Sequence, residues 1–149
     1  MLESPKELTG LLGKLEVQSR ETPDNVELLL RLARLYVRNG DVRQATEVLE
    51  KALKISPDCV PVMVELAGCL VRNSAYHDAM FYLERALALK PGFVPAFIAY
   101  SKMYEKMGEH GQQISFMMRA ANAAPEKTEI RLALAEQLKR YGDINGAIA

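Results

Sequence analysis

Tryptophan is absent from this chain of 149 residues, and cysteine and histidine occur only twice each. So few thiols and imidazoles offer no cluster with the spacing of zinc ligands. Cys59 and Cys69 lie ten residues apart. If a helix begins between them, the distance is too great for a disulfide. The cysteines therefore favour a reducing compartment, and no metal site is predicted.

Neither sign of charge predominates, because 19 lysines and arginines balance 19 aspartates and glutamates. A balanced chain has no overall field that would draw it to nucleic acid. No apolar run approaches the roughly 20 residues that cross a bilayer. The first residues, Met1 to Lys6, lack the basic and apolar parts of a signal peptide. We therefore predict a cytoplasmic protein with no nucleic-acid partner and no membrane insertion.

Residues for catalysis are not arranged in any recognisable motif. The sequence has no glycine-rich loop of the P-loop or dinucleotide-binding type. His77 and His110 each follow a turn, where a solvated histidine at a helix start is expected. Cys59 and Cys69 have no base suggested nearby that would activate a thiol. We expect no catalytic residue, no cofactor and no enzymatic activity.

The chain does contain a repeated apolar pattern, which begins at Val26 and restarts every 34 residues, at Val60, Val94 and, in part, Thr128. Each full unit has two apolar segments separated by a turn and closed by a proline. The first segments read Leu29-x2-Leu32-Ala33-x2-Tyr36, Met63-x2-Leu66-Ala67-x2-Leu70 and Phe97-x2-Tyr100-Ser101-x2-Tyr104. The second segments begin Ala45-x3-Leu49, Ala79-x3-Leu83 and Gln113-x3-Met117. A period of this length indicates a helical repeat array.

The spacing resembles the tetratricopeptide repeat (TPR), whose unit is a helix, a tight turn and a second helix. Ala33 and Ala67 stand where that family often has glycine, and Leu49 and Leu83 where it often has an aromatic residue. The resemblance implies an all-α, right-handed superhelical solenoid of antiparallel helix pairs, with about seven helices. We expect one domain over residues 1–149, with full repeats at 26–59, 60–93 and 94–127.

Both ends of the chain fall within a unit. Residues 1–25 are interpreted as a partial repeat because Leu15 is in phase with Leu49, although a divergent capping helix is the alternative. Residues 128–149 form a second partial repeat. Solenoids normally need a polar terminal helix, and the apolar residues at the end precede any such cap: Ile144, Ala147, Ile148 and Ala149. Gln113 stands where other units carry alanine, so the second helix of the third unit is expected to be the loosest.

The first helix of each unit has a packing side and an opposite side, and in the TPR family the opposite side lines a concave groove that holds peptides. Transferred by unit spacing, the groove residues are an aliphatic row with basic neighbours: Leu30, Arg34, Val37, Arg38, Val64, Gly68, Arg72, Ile98, Lys102 and Leu132. The family subtype that clamps a C-terminal carboxylate uses lysine, asparagine and arginine at sites where this chain has Leu30, Glu65 and Pro95. Binding of that kind is not expected.

These features predict a scaffold or adaptor that binds a segment of a partner protein with apolar anchors and acidic flanks. Two alternatives remain open. One is a self-assembling module that forms homo-oligomers through exposed terminal repeat faces. The other is a regulatory domain excised from a larger protein.

Overall fold

The computed structural model describes residues 4–142, and these form eight α-helices without a strand. The helices are α1 (Pro5–Glu21), α2 (Val26–Arg38), α3 (Val42–Ile55), α4 (Val60–Arg72), α5 (Tyr76–Leu89), α6 (Val94–Met107), α7 (His110–Ala123) and α8 (Thr128–Tyr141). The expected number was about seven, which is close to the eight described here, and α8 lies in the partial repeat expected at residues 128–149. The apolar residues Ile144, Ala147, Ile148 and Ala149, on which terminal association was predicted, lie outside the described residues.

The chain divides into two compact parts, an N-terminal part (Met1–Ala79) and a C-terminal part (Met80–Ala149), with the boundary inside α5. In the N-terminal part, α2 packs against both α3 and α4, and α1 packs against α2. In the C-terminal part, α7 packs against both α6 and α8. Apart from the contact between α2 and α4, these contacts join helices that follow one another in the sequence.

The first helices begin at a fixed period because their local start signals recur. They start at Val26, Val60, Val94 and Thr128, the four positions where the apolar pattern restarts. Asn25 caps α2, since its side chain accepts a hydrogen bond from the Leu28 N–H at 3.1 Å. The helices α4 and α6 instead carry a proline in the first turn, where its missing N–H is not needed.

The turn between the two helices of a unit has the same backbone form in all three full units. Gly40, Ser74 and Gly108, spaced by the period, take positive φ values of 85°, 60° and 75°. The next N–H then reaches back to a carbonyl near the end of the first helix, which is the Schellman arrangement. These bonds join Asp41 to Tyr36, Ala75 to Leu70 and Glu109 to Tyr104, at 2.8, 2.8 and 2.9 Å. In the pairs α2–α3 and α6–α7, the turn reverses the chain so that the second helix runs antiparallel to the first.

Small residues allow the two helices of a unit to approach closely. In the pair α2 and α3, Ala33 and Ala45 are 1% and 0% exposed. In the pair α6 and α7, Ser101 and Gln113 hold the equivalent positions, and both are buried. The Ser101 hydroxyl donates to the Gln113 carbonyl oxygen at 2.9 Å.

The Gln113 side chain has partners at both ends of its amide. Its Nε2 donates to Glu105 Oε2 at 3.0 Å, and its Oε1 lies 3.0 Å from His110 Nδ1. A buried amide with satisfied hydrogen bonds costs far less than an unpaired one. The helix that was expected to be the loosest is therefore continuous from His110 to Ala123, with a polar network in place of alanine.

The N-terminal helix is attached through one face and one hydrogen bond. Leu12 and Leu15 are buried, and the Tyr36 hydroxyl of α2 donates to Glu16 Oε1 at 2.7 Å. The pKa of Tyr36 is raised from 10.0 to about 12, mainly by burial and to a smaller extent by this hydrogen bond. That α1 is a partial repeat rather than a capping helix stays a prediction.

Replacing Leu66 tests the core. Leu66 is 1% exposed, so Leu66→Ala should lower the free energy of unfolding by about 2–5 kcal/mol. The matched change Leu132→Ala, at a side chain that is 60% exposed, should alter it by less than about 0.5 kcal/mol. Urea denaturation followed by circular dichroism measures both. Equal effects of the two substitutions would show that the repeat alignment is misplaced.

The attachment of α1 should weaken at high pH. Because the pKa of Tyr36 is raised in the folded protein, its contribution to stability is fully present below pH 10 and is lost as the pH rises through about 12. Urea unfolding of the native protein and of Tyr36→Phe should therefore differ most at pH 8, and the difference should shrink at pH 11. A difference that stays constant over this range would contradict the assignment.

Candidate functional site

The candidate groove residues of the N-terminal part lie on two neighbouring helices. We define the first-helix face by these residues: Leu30, Arg34, Val37 and Arg38 on α2, and Val64, Gly68 and Arg72 on α4. Residues four apart on a helix share one side, and two such rows occur here, one on each helix. The aliphatic members and Gly68 are half-buried, while the three arginines are exposed.

An ion pair joins the two helices at this face. The Arg34 Nε lies 2.8 Å from Glu65 Oε1, with side chains 51% and 32% exposed. The sequence placed Arg34 four residues from Arg38, a spacing at which like charges repel slightly. The partner of Arg34 is instead 31 residues away along the chain. No local sequence pattern indicates this pairing, because its two residues lie on different helices.

Gly68 lies in the middle of α4, where glycine costs about 0.5–1 kcal/mol relative to alanine. Its backbone is not in the left-handed region, in contrast to the turn glycines Gly40 and Gly108. A Cβ added at Gly68 would meet no heavy atom within 4 Å. Neither helix packing nor backbone conformation therefore requires a glycine at this position.

The candidate residues of the C-terminal part have dissimilar surroundings. Ile98 is half-buried against a core cluster formed by Met117, Ala120, Ala124 and Ile130. Lys102 is exposed, and Leu132 is 60% exposed. Ile98 therefore takes part in packing between α6 and the α7–α8 pair, whereas Leu132 offers free apolar surface. For both parts of the chain, the role of the candidate groove residues in binding stays a prediction.

The groups that could carry other chemistry have ordinary structural surroundings. Over residues 4–142, no three histidine, cysteine, aspartate or glutamate side chains are grouped so as to hold a metal ion. Both cysteines are free, and burial raises the pKa of the Cys69 thiol, which disfavours its reactive thiolate form. None of the eight described helices combines the length and apolarity needed to span a bilayer.

His110 differs from the solvated histidine that the sequence predicted. Its ring stacks on Tyr141 of α8, with centroids 3.7 Å apart and planes 6° from parallel. Together with the Gln113 contact, this stacking links the start of α7 to the end of α8. The position of His110 is therefore explained by packing within the C-terminal part.

An exposed aromatic side chain also lies away from the first helices. Phe81, on α5, is 58% exposed and meets Tyr82 edge-on, with ring centroids 5.2 Å apart. Its exposure provides an alternative contact surface on a second helix, against which the first-helix face can be tested.

Comparisons with known proteins identify the fold. Residues 14–61 match the family model described as tetratricopeptide repeat. The structure of TTC0263, a thermophilic TPR protein of Thermus thermophilus, is similar with a TM-score of 0.80 at 21% identity, over 88% of this chain and 73% of that one. MamA (41-end) from Desulfovibrio magneticus RS-1 gives 0.71 at 22% identity, over 95% and 80%. No curated protein sequence matches the chain.

A third similar structure contains a ligand. It is the first TPR of Spaghetti (RPAP3) bound to the HSP90 peptide SRMEEVD, with a TM-score of 0.66 at 14% identity, over 78% of this chain and 93% of that one. Likeness at these identities establishes the fold alone. The predicted resemblance and the predicted all-α class of paired TPR-type helices are both confirmed.

The ion pair at the first-helix face should contribute little to stability. Because both side chains are partly exposed, a double-mutant cycle with Arg34→Gln and Glu65→Gln should give a coupling of about 0.2–1 kcal/mol. The coupling should fall when NaCl is added, since salt screens exposed charges. Urea denaturation at low and high salt measures it. A coupling well above this range, or one insensitive to salt, would show that the pair is more buried than the structure indicates.

Proposed function

We propose that this chain, an array of tetratricopeptide repeats, is a scaffold that binds an acidic, apolar segment of a partner protein on its first-helix face. The observation that carries the proposal is the composition of that face. Half-buried aliphatic side chains (Leu30, Val37 and Val64) lie among exposed arginines. No catalytic role is proposed.

The aliphatic residues would supply the affinity. Apolar surface removed from water stabilises a complex by roughly 25 cal/mol per Å². Leu30 and Val64 hold equivalent positions in consecutive repeats, so two apolar anchors of one bound segment could contact them together. Ordering a flexible segment offsets much of this gain, and we expect a dissociation constant on the order of micromolar.

The arginines would select the sign of charge. Exposed basic side chains speed the encounter with an acidic segment and disfavour a basic one more than they tighten the final complex. Arg38 and Arg72 stand at equivalent positions of the two helices, one turn beyond Arg34 and Gly68. Lys106 and Arg140 stand at the same position of α6 and α8, so each of the four first helices carries a cation there.

The similar structure of the Spaghetti TPR, with its HSP90 peptide, supports a peptide as the ligand class. Its peptide ends in Glu-Glu-Val-Asp. In this chain Leu30, Glu65 and Pro95 occupy the sites that clamp such a tail in the family. We therefore propose recognition of an internal segment through apolar anchors. The cytoplasmic location suggested by the sequence stays a prediction.

Self-association is the second candidate, and exposed leucines on α8 favour it. Leu138 is 45% exposed, whereas Tyr36, its equivalent in α2, is 8% exposed. Leu132 on the same helix is 60% exposed. A second copy could cover this apolar surface. No observation favours the reading as a regulatory domain of a larger protein.

A defined probe tests the proposed function. The probe is a fluorescein-labelled peptide in which pairs of glutamates alternate with leucines, and its lysine counterpart is the control. We expect micromolar binding of the acidic peptide only, weakened by NaCl. Val64→Asp should abolish binding and Arg38→Glu should reduce it, while thermal unfolding confirms that both variants fold. The same valine-to-aspartate change at Val17, which is 50% exposed on α1, should leave binding unchanged.

Amide shift mapping locates the contact. Shifts along α2 and α4 would support the proposal, and shifts around Glu47, Phe81 and Ser115 on the second helices would contradict it. Light scattering at the same concentrations separates the second candidate, which requires a mass above that of a monomer. Absence of any binding by the acidic peptide would refute this form of the proposed function.

A further inference from the structure

We infer that the turn between α4 and α5 is an opening point built into the second repeat. The chain unfolds there intermittently and exposes its Arg72–Asn73 bond to an endoprotease that cuts after basic residues. The turn lies in the N-terminal part, and the inference does not depend on peptide binding. Two differences from the other turns carry it, one in the backbone at Ser74 and one in the side chain at Ala75.

Ser74 holds a backbone conformation that is costly for any residue with a Cβ. Its φ is 60°, and it is the one non-glycine residue with a positive φ among residues 4–142. The period places Gly40 and Gly108 at the same position of the other two turns, with φ values of 85° and 75°. Glycine takes this conformation without the steric cost that a Cβ adds, and this cost exceeds the entropy saved by replacing a glycine. The closed form of the α4–α5 turn is therefore less favourable than that of a glycine turn.

A side-chain hydrogen bond that braces the turn between α2 and α3 has no counterpart at Ala75. In that turn, the Asn39 Nδ2 donates to Asp41 Oδ2 at 2.7 Å. The equivalent residues of the α4–α5 turn are Asn73 and Ala75, and the methyl group of alanine cannot accept this bond. The closed α4–α5 turn therefore does without this support.

The backbone does not offset these two differences. The Ala75 N–H donates to the Leu70 carbonyl oxygen at 2.8 Å, the same distance as the equivalent bond from Asp41 to Tyr36. Asp78 lies in the first turn of α5, where a carboxylate stabilises the start of a helix, but it does not change the φ that Ser74 must adopt. The α4–α5 turn should consequently open more often than a glycine turn with the same bonds.

The opening can be local because it uncovers no core residue. Val71 and Ala79 are 7% and 0% exposed, and no residue between them is buried. The stretch 72–78 can therefore leave its closed form while the core contacts on both sides persist. The bond between Arg72 and Asn73 lies within this stretch.

Proteolysis reports on the open form, because its rate follows the population of that form when opening and closing are fast relative to cleavage. Hydrolysis of the bond consumes one water molecule and leaves a carboxylate on Arg72 and an amino group on Asn73. Arg72 supplies the basic side chain that enzymes of the trypsin type select.

Trypsin is the probe for the first experiment, with mass spectrometry to identify the bond that is cut. Ser74→Gly should slow cleavage after Arg72 in the folded protein about fivefold or more, because glycine favours the closed turn. Adding Ala75→Asp should slow it further, since residues 71–75 then have the same sequence as residues 37–41. Peptides that span residues 68–78, one for each variant, give the intrinsic cleavage rates by which the protein rates are divided.

The reciprocal change in the turn between α2 and α3 is the matched control. Gly40→Ser should speed cleavage after Arg38 by a similar factor, because it introduces the same steric cost at the equivalent position. It should leave cleavage after Arg72 unchanged, since each turn opens by itself.

Hydrogen exchange measures the opening without a protease. In the native protein, the Ala75 N–H should be protected much less than the Leu66 N–H in the middle of α4, and Ser74→Gly should slow exchange at Ala75 about fivefold. Equal protection of Ala75 and Leu66 would show that the turn opens only when the N-terminal part unfolds, and would overturn the inference. Cleavage after Arg72 that Ser74→Gly does not slow, once divided by the peptide rates, would overturn it as well.

Discussion

Close contact between paired helices, as in α2–α3 and α6–α7, is the constraint on which the rest of the structure depends. Ala33 and Ala45 suit this contact because both side chains are small and almost fully buried. The third unit shows what happens when the rule is relaxed. Gln113 brings an amide into the same contact, and its polar atoms then need Glu105 and His110 as partners. In this pair, the polar residues at the contact are accompanied by hydrogen bonds to those partners.

This contact also determines which side of a first helix is used for packing. The side of α2 that carries Leu32, Ala33 and Tyr36 is used for packing, so the opposite side remains partly open. The repeat places the same kinds of residue at the ends of each exposed row and varies the middle, as Arg34 and Gly68 show. The middle position can vary because it lies on the side of the helix opposite the packing residues.

The sequence by itself determined the features that arise from local interactions. Its period placed the starts of α2, α4, α6 and α8, because start signals, helical apolar spacing and turn residues all act within about one to four turns. The small residues and the family resemblance identified the class of fold. The aliphatic row and its basic neighbours could likewise be named, since residues four apart share a helix side whatever the surroundings.

Only the tertiary structure decided how residues distant in sequence meet. Glu65 is the partner of Arg34 across 31 residues, and Glu16 is the partner of Tyr36 across 20. Equivalent positions diverged as well: Ile98 became part of a core cluster while Leu132 stayed exposed. A repeated sequence cannot distinguish these positions, because burial depends on which helix packs beside each one.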